Sequence, residues 1–257
     1  MKSFQRLPTA AAVLIVFLAV FLFPLWAAAK TIEPEPRAEE EAVDFAAKYE
    51  EILGEITISE EASQVVDKIK QAVTELQDLT ADVCQTQYKG SQERSEKVEG
   101  KLAISLVEHL VARLEFSAPS ALRGQIIVID QEKNEARSYM PVTNQITVQG
   151  LEGMGEEALS FLDVTDVATL FDFTQYEVVV LESIEKDGLW DYSLQVSGYE
   201  DQVLQVRVKS DSWVPYEILE FSGGKLKGKL ELRNAVFNQA LSRDEIRGLP
   251  DVKEFRL

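Results

Sequence analysis

Two periodicities alternate along the chain, and they predict most of its architecture. From Ala42 to Leu53 the apolar positions Ala42, Phe45, Ala46, Tyr49, Ile52 and Leu53 recur at helical spacing, and Gly54 supplies a stop. A second helix is expected to begin at Ser59, an N-cap residue followed by Glu60 and Glu61, whose charges suit the helix dipole. Its apolar stripe runs Ala62, Val65, Val66, Ile69, Ala72, Val73, Leu76 and Leu79, the cleanest helical pattern in the sequence. One face of it must pack on something large.

After Leu79 the period becomes two. Val98, Leu102, Ile104 and Leu106, with Gly100 in register, form one strand face. Leu110, Ala112, Leu114 and Phe116 form the next, with Arg113 and Glu115 pointing away and Pro119 ending the strand. Gln125 to Asp130 is a short, almost continuously apolar strand before a polar turn at Gln131 to Asn134, and further strands are expected at Ala136–Pro141 and Gln145–Gln149. The pattern breaks at Gly150–Gly155, and a helical patch from Glu156 to Phe171 carries Leu159, Leu162, Val167 and Leu170. Strands resume at Tyr176–Leu181, at Trp190, Tyr192, Leu194 and Val196, at Leu204, Val206 and Val208, and at Tyr216–Phe221. A turn at Ser222–Lys225 leads into a last long strand with Leu226, Gly228, Leu230, Leu232 and Val236 on one face. A short helix at Ser242–Arg247 and Pro250 close the chain.

The predicted order is therefore helix, about six strands, a helical insert, about five strands and a short tail. Strands in hairpin succession with one apolar face give a mainly antiparallel β fold with an α lid: one strongly curved sheet of about eleven strands, covered by the N-terminal helices and the insert.

The N-terminus changes the picture of where this fold works. Lys2 and Arg6, an apolar run from Ala10 to Trp26, and Ala27-Ala28-Ala29 follow the order of a secretory signal, so residues 1–29 are expected to be a leader cut after Ala29. The competing reading is an uncut anchor, since the run approaches the roughly 20 residues that span a bilayer. Residues 30–58 hold an acidic, proline-bearing spacer (TIEPEPRAEEE) and the extra helix, and residues 59–257 form the expected sheet domain.

Composition removes several functions. The formal net charge is −18, and it becomes more negative once Lys2 and Arg6 leave with the leader, which disfavours nucleic acid and an anionic membrane face as partners. Cys84 is the single cysteine, so no intrachain disulfide forms, and it reads as a small residue half-buried in a strand. His109 is the single histidine, in a turn between strands, which rules out any site that needs two. No nucleophile elbow, P-loop or dinucleotide fingerprint occurs. Acidic pairs such as Glu156-Glu157 are abundant, but among 44 acidic residues nearly all must be solvated surface. No catalytic residue, metal site or cofactor is expected.

The segment Val98–Gly150 resembles the outer-membrane lipoprotein carrier (LolA-type) family and its lipoprotein-sorting relatives. Gly100-Lys101-Leu102, Arg113-Leu114-Glu115-Phe116, Pro119, Ile126–Asp130, and Tyr139 with Pro141 carry the resemblance, and Trp213-Val214-Pro215, Leu241-Ser242 and Pro250 extend it towards the C-terminus. The chain departs from that family at Ser105–His109, where the family's Lys-Arg-Pro segment and its lid-latching arginine have no counterpart, and in the extra helix at Ala42–Leu53. The resemblance implies an unclosed barrel with a helical lid over an apolar cavity, and a non-enzymatic periplasmic carrier that shields the acyl chains of a lipoprotein or lipid. It also implies an inner-membrane delivery or signalling protein as a partner. Leu102, Ile104, Leu106, Leu114, Phe116, Met140, Val148, Leu159, Leu162 and Trp190 are the candidate cavity residues, and each is equally well explained as core. The alternatives are an envelope lipid or stress sensor on the same fold, and a hydrolase whose site is assembled from distant residues.

Overall fold

A computed structural model describes residues 59–89, 94–153, 176–197 and 202–257. The expected leader, spacer, first helix and central helical insert lie outside the described residues. Helix α1 (Glu60–Thr74) opens the described chain, and the Ser59 side chain accepts the Ala62 N–H at 3.2 Å as its cap. Twelve strands follow in one sheet among the described residues. They are β1 (Asp78–Lys89), β2 (Arg94–Ser105), β3 (Val111–Ala118), β4 (Ile126–Asp130), β5 (Glu135–Met140), β6 (Gln145–Gly150), β7 (Glu177–Lys186), β8 (Leu189–Ser197), β9 (Gln202–Lys209), β10 (Pro215–Ser222), β11 (Lys225–Phe237) and β12 (Glu254–Arg256). Helix α2 (Arg243–Arg247) lies between the last two.

The spatial order β12-β6-β5-β4-β3-β2-β1-β11-β10-β9-β8-β7 is two antiparallel meanders joined at one seam, where β1 pairs with β11. Only β12 is parallel to its neighbour, β6. The sheet is open and curved, with β12 and β7 as its outermost strands. Although α1 leads directly into the central β1, it packs against the outermost β7, which the curl of the sheet brings round to it. Register shifts at Thr80/Asp82, Glu99/Gly100, Val180/Glu182, Pro215/Glu217 and Glu220/Phe221 add the local bends that such a curl requires.

The main core is the inner face of this sheet. Ala62, Val65, Val66, Ile69 and Val73 of α1 are buried against Val83, Leu102, Leu114, Ile127 and Leu151 of one meander and Val178, Leu194, Val206, Ile218 and Leu230 of the other. Each Val, Leu or Ile side chain among them contributes on the order of 1.5–3 kcal/mol relative to leaving it exposed. Gly100 shows how tight the β2–β3 contact is: a Cβ there would lie 2.7 Å from the Glu115 carbonyl oxygen. Gly100→Ala is expected to cost about 1–3 kcal/mol, read as a lower urea midpoint at unchanged slope. A midpoint equal to wild type would show that β3 can move away freely.

A second, smaller core lies on the outer face, and no sequence pattern announced it. Val111, Ile126, Val128, Ile146, Val148 and Ile246 are buried but belong to no part of the inner cluster. The C-terminal tail covers them. Arg247 forks onto the buried carboxylate of Asp130, with Nε–Oδ2 2.7 Å and Nη2–Oδ1 3.2 Å, and its Nη2 also donates to Glu132. Arg137 pairs with Glu254, Arg256 with Glu135 at 3.4 Å, and Arg113 donates to the Gly248 carbonyl. Where the tail begins, the buried carboxylate of Asp78 accepts the N–H groups of Gln239 at 2.8 Å and Leu241 at 3.2 Å.

Several expectations are corrected. The helix stops at Thr74, so Leu79 belongs to β1, a twelve-residue strand not delimited from the sequence. Val236 is exposed, while Ala235 and Phe237 pack on the inner core, because the bulge opposite Thr80–Asp82 shifts the strand phase by one residue. Leu106 and Leu110 flank strands rather than sit within them. Cys84 is buried, not half-buried, at 2% exposure. It pairs with Glu99 and Glu231, whose ion pairs to Lys97 (2.6 Å) and Arg233 (2.8 Å) tie the long charged side chains together beside it.

Candidate functional site

The inner face of the sheet is where the sequence reading expects a ligand, and the predicted residues fall in different places relative to it. Leu102, Ile104, Leu114 and Phe116 are buried in one cluster with α1, and Leu106 packs half-buried against it. Met140 stands at the end of β5 with 44% of its surface exposed. Trp190 is 39% exposed and stacks on Tyr192 (6.1 Å between ring centroids), which stacks in turn on Trp213 (5.6 Å). Val148 is the exception among the described residues. It is buried on the opposite face, opposite Arg137 of β5 and Arg256 of β12, so it lines the tail-covered outer core instead of any inner cavity. Leu159 and Leu162 lie outside the described residues.

The aromatic row was only partly legible. Alternation put Trp190 and Tyr192 on one face, but nothing local connected Trp213 to them. Trp213 sits at φ 53° in the turn between β9 and β10, a left-handed conformation that swings its indole back over the inner face.

At the other end of the same strands the inner face turns polar. Glu220 follows Ile218 on the inner side of β10 and pairs with Gly228 of β11, which pairs with Gln87 of β1; Gln85 is one inner position closer to the core, opposite Leu230. The Glu220 carboxylate lies over Gly228, so that a Cβ there would come within 3.1 Å of Oε2. Burial raises the Glu220 carboxyl above the ordinary range, and the charge of Lys227 offsets only part of this. The Gln85 amide oxygen is buried without a hydrogen-bond partner among the described residues. A strand read as alternating Leu-Gly-Leu gave no hint of this patch, because it needs the β10–β11 register.

On the outer face of β8–β11 the charged side chains pair with one another. The Tyr216 hydroxyl donates to Asp191 (2.8 Å to Oδ2), Arg207 pairs with Asp191 at 2.9 Å and Glu217 at 3.6 Å, and Lys229 bridges Glu217 at 2.6 Å and Glu231 at 3.3 Å. Burial and the Asp191 carboxylate push the Tyr216 phenol above its ordinary value, so it stays protonated as a donor. Mutually satisfied groups of this kind hold neighbouring strands together. Among the described residues, no group of three or more His, Cys, Asp and Glu side chains is placed to hold a metal ion. Among them, too, no helix is long and apolar enough to cross a membrane.

No family model matches the chain, and no curated protein matches it. Solved structures do. An uncharacterized conserved protein from Thermus thermophilus is 14% identical, with 77% of this chain and 100% of that chain covered at a TM-score of 0.50, which shows the shared fold. The structure of the Pseudomonas aeruginosa MucA/MucB complex is similar over 73% of this chain and 61% of that chain, at 10% identity and a TM-score of 0.47. A LolA superfamily protein from Nitrosomonas europaea is similar over 73% of this chain and 97% of that chain, at 14% identity and a TM-score of 0.35. Lipoprotein-sorting domains and LolA-superfamily proteins are thus among the solved structures this chain is similar to, at low sequence identity.

Proposed function

We propose that the protein is a non-enzymatic, exported carrier or binding protein that shelters acyl chains of a lipid or lipoprotein on the inner face of its sheet. The observation that carries this reading is the inner face itself. An apolar surface runs unbroken from β4 through β1 and β11 to β7, and among the described residues one amphipathic helix, α1, lies on it. A helix packed on an open sheet can be displaced without breaking a strand pairing. The sequence resemblance to lipoprotein carriers supports the same reading, and so does the leader-like N-terminus, because a lipid crossing an aqueous compartment outside the cytoplasm needs an escort. Cleavage after Ala29 makes the protein a diffusing carrier, and retention of the leader makes it a tethered one.

Each buried methylene adds about 0.8 kcal/mol, so removing one CH₂ from a ligand chain weakens binding by about fourfold. Titrating the chain with a series of fluorescent fatty acids from C8 to C16 is expected to show that slope until the apolar face is filled. Mass spectrometry of the protein purified from its own envelope is expected to find a co-purifying acylated molecule. Affinity independent of chain length, with no acyl compound retained, would end this reading.

A further inference from the structure

Resting on the carrier reading, we propose that the patch formed by Glu220, Gln85 and Gly228 is the polar-head site of the acyl ligand, and that it selects a head carrying hydrogen-bond donors, an ammonium group first. The patch lies on the same inner face as the apolar surface, where Ile218, Leu230 and Val206 form the row directly next to it towards the core. A ligand whose chain runs over that row brings its head to Glu220.

Three observations give the patch its chemistry. Glu220 is half-buried between Leu204, which packs on the core, and Gly228, and makes no hydrogen bond or ion pair among the described residues. The Gln85 amide oxygen is a buried acceptor with no donor among the described residues. Gly228 leaves open the space into which the Glu220 carboxylate folds. Two acceptors held without donors in a half-buried setting are costly to leave unmet. A head that donates, such as a primary ammonium, an amide N–H or a hydroxyl, satisfies them, and a carboxylate or phosphate head adds like charge beside Glu220. The other end of the same strands is different in kind: Trp190, Tyr192 and Trp213 stack there and offer an apolar rim. The inner face is therefore polarised along the strands, with acceptors at one mouth and aromatic rings at the other, which gives an amphiphile one preferred direction.

The test compares dodecylammonium, dodecanol and dodecanoate as ligands of the full chain at neutral pH, read by calorimetry below their micellar concentrations. Dodecylammonium is expected to bind at least tenfold more tightly than dodecanoate, with dodecanol between them. Glu220→Gln is expected to cut the ammonium affinity about tenfold, which corresponds to about 1.4 kcal/mol, and to leave dodecanol within twofold. Gly228→Val fills the space beside the carboxylate and is expected to weaken all three without changing their order. Equal affinities for ammonium and carboxylate, or an ammonium preference that survives Glu220→Gln in a variant with wild-type thermal stability, would overturn the head-site assignment while leaving the carrier reading intact. Failure of all three ligands to bind would overturn both.

Discussion

Replacing Arg247 with alanine is expected to lower the stability of the fold by about 3–5 kcal/mol, one of the two largest losses expected of a single substitution here. The reason is the partner it leaves behind. Asp130 is 1% exposed, at the end of a strand buried on both faces, and its two carboxylate oxygens take the two-pronged hydrogen bond of Arg247. Without the guanidinium, a buried carboxylate keeps only the Lys133 N–H at 3.3 Å and the distant Lys133 ammonium at 4.0 Å. The tail would lose its main fastening to the outer core as well. Urea unfolding at neutral pH measures the effect, and a loss below 1 kcal/mol would show that the tail contributes little. The companion double variant, Asp130→Leu with Arg247→Met, is expected to recover most of the loss, because it removes both charges and keeps the volume.

The same pair fixes a pH dependence with a definite sign. Burial alone would raise the Asp130 carboxyl, but the Arg247 hydrogen bonds, the Lys133 N–H and the nearby positive charges together hold it below its ordinary value. A carboxyl lowered by folding stabilises the protein fully above its unfolded value of about 3.9, and that contribution is lost as the pH falls through the lower, folded value. In Arg247→Ala burial is no longer opposed by the guanidinium, so the carboxyl rises and protonation relieves part of the penalty. The stability gap between wild type and variant is therefore expected to narrow on acidification. A gap that widens would contradict this account.

Phe116→Ala is the second large effect, about 3–5 kcal/mol, and it bears on function. Phe116 is 2% exposed on the inner face, its ring in the cluster that joins α1 to both meanders, and its strand position is pinned by the pairing with Gly100 and by hydrogen bonds with Gln125 (2.9 Å) and Gly124 (2.8 Å). Truncating a packed ring loses its transfer energy and leaves a cavity that fixed strands cannot close. Thermal or urea denaturation reads the loss directly. A loss below about 1 kcal/mol would mean that the ring faces a space already open in the protein, so that the inner face holds a preformed cavity and not a packed core.

The architecture was legible wherever one residue's neighbours in sequence also decide its environment. Ser59 with its following acids marked the start of α1, and Gln125–Asp130 read as continuously apolar because β4 is buried on both faces. The open, curved antiparallel sheet followed from hairpin succession, and the count of about eleven strands fell one short of the twelve present among the described residues. The misses are positions where distant segments decide. β1 was not delimited because its inner face carries Gln85 and Gln87 after Val83, so its alternation fades halfway along. Val148 was assigned to the inner face, but its burial comes from a three-residue strand over a hundred positions later that no local pattern reveals. The pairing of Arg247 with Asp130 was hidden for a related reason: in a chain with 44 acidic residues, no single carboxylate identifies itself as the buried one.

The seam between the two meanders has a consequence for how the molecule comes into being. Every other antiparallel pairing in the sheet joins strands that are consecutive in the chain, whereas Leu79 of β1 must find Phe237 of β11. Pairings between remote positions pay the full entropy of closing a long loop before any contact rewards them, which makes them late and slow. The first meander can zip up as it emerges, but its β1 edge stays bare until the last long strand arrives. Through that interval the molecule carries a bare strand edge along β1, Asp78–Lys89, with apolar Leu79, Ala81 and Val83 on one face of that strand. That edge is the natural point of attack for aggregation, and the point at which a folding helper would hold the newly made chain.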